Sequence, residues 1–443
     1  MGMRFHFALA LGSLLALGAC SIDSTSDDST SGGSTSGGST PDDNSDGEIP
    51  GSGAGFVDGG GSVGASDGSF GDEPPGSVGA AAGSSTGAGA GTGTGASTGT
   101  GAGGGGIGGS GGAAGTGGSG GGEGVGGGGV GEGGGGGGII EPVEPVEPGT
   151  LTAGAWDDNR NFDFFLSYRD AQHAQQLPGL LPFTAQDHQA AHSLFAAPPG
   201  PRKTLDVSLI IDTTGSMGDE IRYLQTEFIA LSESIFAKYP DAEQRWSLVV
   251  YRDTEDDYVV RWFGFRDDPQ EFQQKLAAQA ANGGGDFPEA PDMALLKAAD
   301  LAWRTDDDTA RLAFWVADAP HHDTNAADMA DGILALKDRG VHIYPVASSG
   351  VDELTELTMR SAAQMTGGRY LFLTDDSGVG GSHKEPTIPC YFVTRLDSAI
   401  LRMVDIELSG TYREPEASQI LRTGGDPQDG ACTLSSGDEV LVF

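Results

Sequence analysis

Positive charge is scarce in this chain. Its 443 residues carry 24 Lys and Arg against 63 Asp and Glu, a formal net charge of -39. No basic patch or stripe is visible, which argues against a nucleic-acid partner. Between residues 21 and 149 Lys, Arg and His are absent altogether, and Gly, Ser, Thr, Ala and acidic residues fill the stretch. Its apolar content is too small to offset the entropy of ordering a chain, so a packed domain is excluded there. The apolar run Phe7 to Leu17 is too short to span a bilayer as a mature helix. Three familiar catalytic signatures are also missing: a Ser-His-Asp spacing, a His-Glu-x-x-His pair and a phosphate loop. The glycines at 283–285 have no Lys and no helical Ser or Thr after them, so they are not a nucleotide cradle.

Residues 1–19 read as a processing segment, with Arg4 ahead of the apolar run. Leu17-Gly18-Ala19-Cys20 resembles a bacterial lipobox. That resemblance implies cleavage before Cys20 and lipidation of its thiol. Ser21 follows, where an Asp would signal inner-membrane retention. By analogy with enterobacterial sorting, the expected location is the outer membrane, with the chain facing the periplasm or the cell exterior. The membrane would be met through the lipid anchor only. Residues 20–149 are expected to be a disordered Gly/Ser/acidic tether. A flexible chain of that length has an r.m.s. span of about 60 Å and a contour length of roughly 430 Å. Its acidic charge would keep it extended and away from anionic membranes. The run from Ile139 to Pro148, with Pro at every third position from 142, should be stiffer.

Residues 150–203 form an N-terminal extension that is expected to be weakly helical and then a linker. Trp156-Asp157-Asp158-Asn159 and the nearby Phe162, Phe164 and Phe165 suggest a short segment packed on the main domain, its Asp-Asp-Asn triplet a polar turn rather than a calcium loop. From Leu205 strands and helices alternate. Leu205–Ile211 is a near-continuous apolar run, the mark of a strand buried on both faces. Ile221, Leu224, Phe228, Leu231 and Ile235 recur at helical spacing. Residues 246–251 and 258–263 predict a hairpin. Helices are expected over 269–280, 290–303, 326–339, 352–365 and 394–409, with strands over 312–317, 341–346 and 370–373. The implied fold is α/β, a doubly wound, mostly parallel sheet with helices on both faces. Residues 411–443 form a C-terminal tail.

The most informative stretch is Leu209-Ile210-Ile211-Asp212-Thr213-Thr214-Gly215-Ser216. An apolar strand ends on Asp212, and hydroxyls follow at Thr214 and Ser216. This places hard oxygen donors at the carboxyl end of a buried strand, where open α/β sheets bind ligands, and such donors suit a hard cation like magnesium. Gly283-Gly284-Gly285-Asp286-Phe287-Pro288-Glu289 is a glycine turn carrying two acids. Ala313 to Pro320 is another apolar strand, ending on Asp318. In this order the three loops resemble the metal-ion-dependent adhesion site of von Willebrand factor A domains, with the closest likeness to the hemicentin and integrin β I-like branch. The resemblance covers residues 204–410.

The resemblance implies that Thr214 and Ser216 bind Mg2+ or Mn2+ directly and that Asp212 and Asp318 hold ligand waters. Glu289 would enter the coordination sphere when a partner is bound. One position stays open for an acidic residue of a protein ligand. Asp286 matches one acid of a flanking Ca2+ site, but Gly284 stands where that site needs Asn. Asp219 and Glu220 match a third site, or are acids favoured by a helix N-terminus. The chain is read as a binding module and not an enzyme. Two other readings compete: a metal-dependent hydrolase using His321 or His322, and a scaffold whose cation is purely structural. Cys390 and Cys432 remain once Cys20 is set aside, and an even pair in an exported protein suggests a disulfide. Closing that loop would contribute roughly 4 kcal/mol. In the family the last helix can slide, so a bridge folding the tail back along it was the expected restraint on that travel.

Overall fold

The structure, a computed structural model, describes residues 44–52, 146–194, 200–285, 287–387 and 390–442. The expected processing segment, Cys20, most of the expected tether and Asp286 lie outside the described residues. In chain order the elements are β1 (Gly47–Pro50), β2 (Thr152–Trp156), α1 (Phe162–Gln175), α2 (Ala185–Leu194), β3 (Thr204–Asp212), α3 (Ile221–Lys238), β4 (Glu243–Tyr251) and β5 (Tyr258–Arg266). Then come α4 (Pro269–Ala277), α5 (Pro291–Ala299), β6 (Thr309–Ala317), α6 (Ala326–Asp338), β7 (His342–Ala347), α7 (Glu353–Thr366), β8 (Tyr370–Leu373), β9 (Tyr391–Arg395) and α8 (Leu396–Ser409). The tail supplies β10 (Arg422–Gly424), β11 (Ala431–Thr433) and β12 (Glu439–Leu441).

Ten strands make one sheet in the order β1-β5-β4-β3-β6-β7-β8-β2-β9-β10. The five central strands, β4 to β8 through β3, β6 and β7, run parallel. Both wings are antiparallel: β5 and β1 on one side, β2, β9 and β10 on the other. All nine residues of β6 are buried, as a central parallel strand requires.

Alternation along β3 divides the core. Leu205, Val207, Leu209 and Ile211 pack on one face with α3 (Leu224, Phe228, Leu231) and α8 (Leu396, Ile400, Met403). Ile210 joins the other face, built with α5 (Leu295, Ala298), α6 (Met329, Ile333) and α7 (Met359, Ala362). Helices therefore cover both faces of the expected doubly wound core.

Three findings differ from the sequence reading. First, the extension is not an appendage: β2 is an interior strand, paired with both β8 and β9. Its centre, Ala153-Gly154-Ala155, carries none of the β-branched or aromatic residues that announce a strand; only the end residues Thr152 and Trp156 do. The small residues are needed there, because a Cβ on Gly154 would run into the Phe372 ring. Residues 162–175 and 185–194 are full helices, and Asp157 and Asp158 are buried in ion pairs while Asn159 donates to Gln364 O. Arg360 Nη2 reaches Asp158 at 2.7 Å and Arg369 Nε reaches Asp157 at 2.9 Å. Second, Gly47–Pro50, within the expected tether, is an edge strand on β5. Third, Thr394 belongs to β9, and the last helix starts at Leu396.

The tail folds β11 against β12 as a separate hairpin. Cys432 on β11 is bridged to Cys390, with Cα atoms 5.7 Å apart. The bridge does not lie along the last helix. Cys390, Cys432, Val440 and Val442 pack on the α5–α7 face, whereas α8 packs on the opposite face.

Candidate metal centre

Three loops meet at the carboxyl end of the parallel strands. Asp212 ends β3, fully buried, and its Oδ1 accepts the Thr214 N–H at 2.9 Å and the Thr214 hydroxyl at 2.7 Å. The Thr214 and Ser216 hydroxyl oxygens lie 3.1 Å apart. A 3₁₀ turn over Gly215–Asp219 follows and leaves Ser216 exposed to solvent. The glycine loop is zipped to this first loop. Asn282 N donates to Thr213 O at 3.0 Å, and Gly215 N donates to Gly283 O at 3.2 Å. Gly283 and Gly284 both adopt positive φ, which a side chain would strain. A Cβ on Gly284 would stand 3.5 Å from both Glu289 Oε1 and Thr214 Cβ, which shows how closely Glu289 approaches the first loop. Glu289 is fixed from the third loop, its N–H donating to Pro320 O at 2.9 Å.

Asp212, Glu289 and Asp318 are all buried. Asp212 Oδ2, Glu289 Oε2 and Asp318 Oδ1 have no hydrogen-bond partner. Burial, reinforced by Asp318, pushes the Asp212 carboxyl up to about 7. Burial, reinforced by Asp212, Asp253, Asp256 and Asp318, pushes Glu289 up to about 10. Asp318 rises to about 6 through burial, against the hydrogen bond from Ser216. Mutually repelling carboxylates with orphaned oxygens beside two hydroxyls are a donor set for a hard dication. Among the described residues no three His, Cys, Asp or Glu side chains close into a ready metal cage.

The remaining candidates divide. Glu220 is buried and accepts from His383 Nε2 at 2.9 Å and Ser349 N at 3.1 Å, while Asp219 is exposed. His321 turns Nε2 to Gly179 O at 2.8 Å, and His322 Nε2 lies 2.6 Å from Asp253 Oδ1.

The β4–β5 turn, which the sequence reading overlooked, supplies two further acids. Asp256 accepts the Gly284 N–H with both carboxylate oxygens, each at 3.0 Å. Asp253 pairs with His322. The signal was the acid-rich run Asp253-Thr254-Glu255-Asp256-Asp257 in the hairpin turn. Arg252 braces the same corner, donating to Thr213 O at 3.1 Å and Ala280 O at 3.0 Å.

Residues 206–375 match the family model of the von Willebrand factor A domain. A protein of Acanthamoeba polyphaga mimivirus described as ariadne-like RING finger is 25% identical over 187 residues, 38% of this chain and 18% of that protein. The alpha-protein kinase vwkA of Dictyostelium discoideum is 29% identical over 130 residues, 29% of this chain and 20% of that protein. The match thus spans about a fifth of each curated relative. A crystal structure of the conserved hypothetical protein BatB from Bacteroides thetaiotaomicron aligns with a TM-score of 0.31 and 12% identity, over 38% of this chain and 89% of that one.

Proposed function

Since residues 206–375 form a von Willebrand factor A domain, a module of protein–protein interaction, we propose that this chain binds a protein partner through a magnesium-type cation held at the three-loop site. One observation carries the reading: three buried carboxylates each leave an oxygen unpartnered next to the Thr214 and Ser216 hydroxyls. Thr214 and Ser216 are the direct donors, Asp212 and Asp318 orient ligand waters, and Glu289 stands by the first loop. A bound Mg2+ or Mn2+ supplies a positive charge and a coordination position for an acidic residue of the partner. Neutral hydroxyl donors leave that charge undiminished. With three carboxylates the formal site charge is about -1, so an incoming carboxylate binds well only if Glu289 yields or other contacts help. The exposure of Ser216 keeps the site open to a partner, which favours this reading over a purely structural cation. His321 and His322 are read as structural, each tied to a neighbour rather than to a substrate position, so the module is non-catalytic in this proposal.

The lipobox-like Cys20, outside the described residues, supports a further proposal: the chain is an outer-membrane lipoprotein presenting this domain to the periplasm or the exterior, with no other membrane contact. Asp286 also lies outside the described residues, so a flanking Ca2+ rests on the resemblance alone. The test of the site is calorimetric titration of Mg2+ and Mn2+ into the wild type and Asp212→Ala, with partner capture repeated in EDTA. Equal cation affinity in the two proteins sinks the assignment. Palmitate labelling of the wild type against Cys20→Ser tests the anchor.

A further inference from the structure

The edge strand β1 is built from residues far from the rest of the folded region. Residues 53–145, 93 positions, separate it from the next described segment. It adds to β5 in antiparallel register, Glu48 opposite Arg261 and Ile49 opposite Val260. The match is chemical as well as geometric. Arg261 Nε donates to Glu48 at 2.6 Å, Arg266 Nη2 to Asp46 at 2.8 Å and Lys275 Nζ to the other Asp46 oxygen at 3.2 Å. The Gly264 N–H also donates to Asp46 at 3.2 Å. In a chain with 24 basic residues against 63 acidic ones, three cations converge on one acidic strand. Shape selects too: a Cβ at position 47 would run into the Trp262 indole, so only glycine fits opposite it. Beyond the ladder, Ser52 N donates to Thr254 O at 2.8 Å.

We propose that the free edge of β5, with Arg261, Arg266 and Lys275, is a receptor for an acidic extended strand, and that a second copy of this chain supplies that strand from its own residues 44–52. An unfilled β5 edge presents a row of unpaired N–H and C=O groups, a template for strand addition. The occupant is short, and its ion pairs are open to solvent: the Glu48 and Arg261 side chains are 39% and 36% exposed. Such pairs contribute little each, and a four-residue edge strand has few ladder bonds to give up, so exchange requires the release of this strand alone. Covalent geometry allows the 93-residue connection to reach at most about 300 Å, far more than the distance to a neighbouring molecule. The ladder is identical whether the strand comes from the same chain or from another. Only effective concentration decides between them, and crowding of chains on a surface shifts the balance toward exchange.

The experiment uses the full chain with Cys20→Ser throughout. One protein carries Glu48→Cys and an affinity tag, the other carries Arg261→Cys, and the two are mixed and oxidised with diamide. A tagged disulfide-linked heterodimer is expected to accumulate on co-incubation and to be lost when Asp46→Lys is added to the strand donor. The double variant Glu48→Cys/Arg261→Cys in one chain reports docking itself. If it closes its own bridge while the mixture yields no heterodimer, the strand stays in its own chain and exchange is overturned. If the double variant fails to close, the strand does not dock and the receptor is overturned with it. A heterodimer that survives Asp46→Lys is a collision product and also overturns the proposal.

Discussion

Arg360 and Asp158, 202 positions apart, meet in the interior as a pair in which Nη2 and Nε both donate to Asp158 Oδ1, at 2.7 and 3.1 Å. Both side chains are within 2% of full burial. The pair ties the N-terminal extension to α7, and Arg360 Nη1 also reaches Glu356 at 3.2 Å. Burial pushes the Asp158 carboxyl up to about 6 even with the guanidinium opposing it. Removing one member of such a pair leaves a buried charge uncompensated, at a cost of about 3–5 kcal/mol, whereas replacing both by apolar groups costs far less. Asp158→Ala should therefore lower the unfolding free energy in urea by about that amount. Asp158→Leu/Arg360→Met should lie well above the sum of the single changes. A single-variant cost near zero would mean that the extension is not clasped through this pair.

As the pH falls, His188 and Glu407 should each withdraw stability from the fold, in two adjoining windows. Burial lowers the His188 imidazole to about 4, although its Nδ1 lies 2.7 Å from Gln364 Oε1. Below the ordinary histidine value near 6.5 the unfolded chain takes up a proton that the folded chain refuses. The stability that His188 contributes is therefore complete above about 6.5 and falls as the pH drops toward 4, by at most about 3 kcal/mol. Glu407 behaves as a depressed carboxylate. Burial alone would raise it, but His342, Tyr344 and Arg202 outweigh burial and hold it at about 2. Its contribution is complete above the usual glutamate value and is lost as the pH falls from about 4.5 toward 2. Asp158, Asp212, Asp318 and Glu289, held above their ordinary values, push stability the other way over the same range, so the two windows are read as differences in urea midpoint between the wild type and single variants from pH 8 to pH 3. His188→Asn should flatten the upper window and leave the lower one intact.

The disulfide should matter for stability and not for the cation. Cys390–Cys432 pins the tail hairpin to the α5–α7 face, away from α8. Cys390→Ser/Cys432→Ser should lower the unfolding free energy by about 2–4 kcal/mol. Its magnesium affinity by calorimetry should match the wild type, and a changed affinity would restore a link between the bridge and the last helix.

At the three-loop site, cation and mutation should trade places. Without a dication, Asp212, Glu289 and Asp318 repel one another in a buried space. Glu289→Gln should then melt higher than the wild type in EDTA, each kcal/mol being worth about 2–4 °C in a domain of this size. Saturating magnesium should raise the wild type more than the variant, because a ligand stabilises by RT ln(1 + [L]/Kd). If both proteins melt alike with and without magnesium, Glu289 has no part in cation binding.

The parallel core was legible because its signals are local and strong. Leu209-Ile210-Ile211 and Leu312 to Ala317 are apolar runs that end on acids, and the α3 residues keep helical spacing. The loops bearing Asp212, Glu289 and Asp318 could be placed for the same reason, each closing or facing such a strand. What stayed hidden is governed by partners distant in sequence. The centre of β2 is Ala-Gly-Ala, with glycine at 154 because Phe372 crowds it, so it carries little strand propensity of its own. β1 is a few residues in a glycine-rich stretch, defined only by the Trp262 and Arg261 it meets. Asp256 looked like one acid in a turn, since its role depends on a backbone N–H 28 positions away. Cys390 and Cys432 could be paired by count, but the face on which the tail packs could not be read from spacing.

The interior position of β2 bears on the order of synthesis. Thr152 is translated 222 residues ahead of Thr374, whose N–H it receives in the finished sheet. Until β8 and β9 have been made, β2 has neither neighbour, and β8 has an open flank. The sheet is therefore completed only once both strands are made, by pairings that draw on both ends of the folded region. A nascent chain must hold Thr152–Trp156 in reserve through most of its elongation, because long-range pairing closes slowly and raw edges invite aggregation. A chain that stops before Tyr391 leaves β2 with an unpaired flank, however well its five parallel strands have formed.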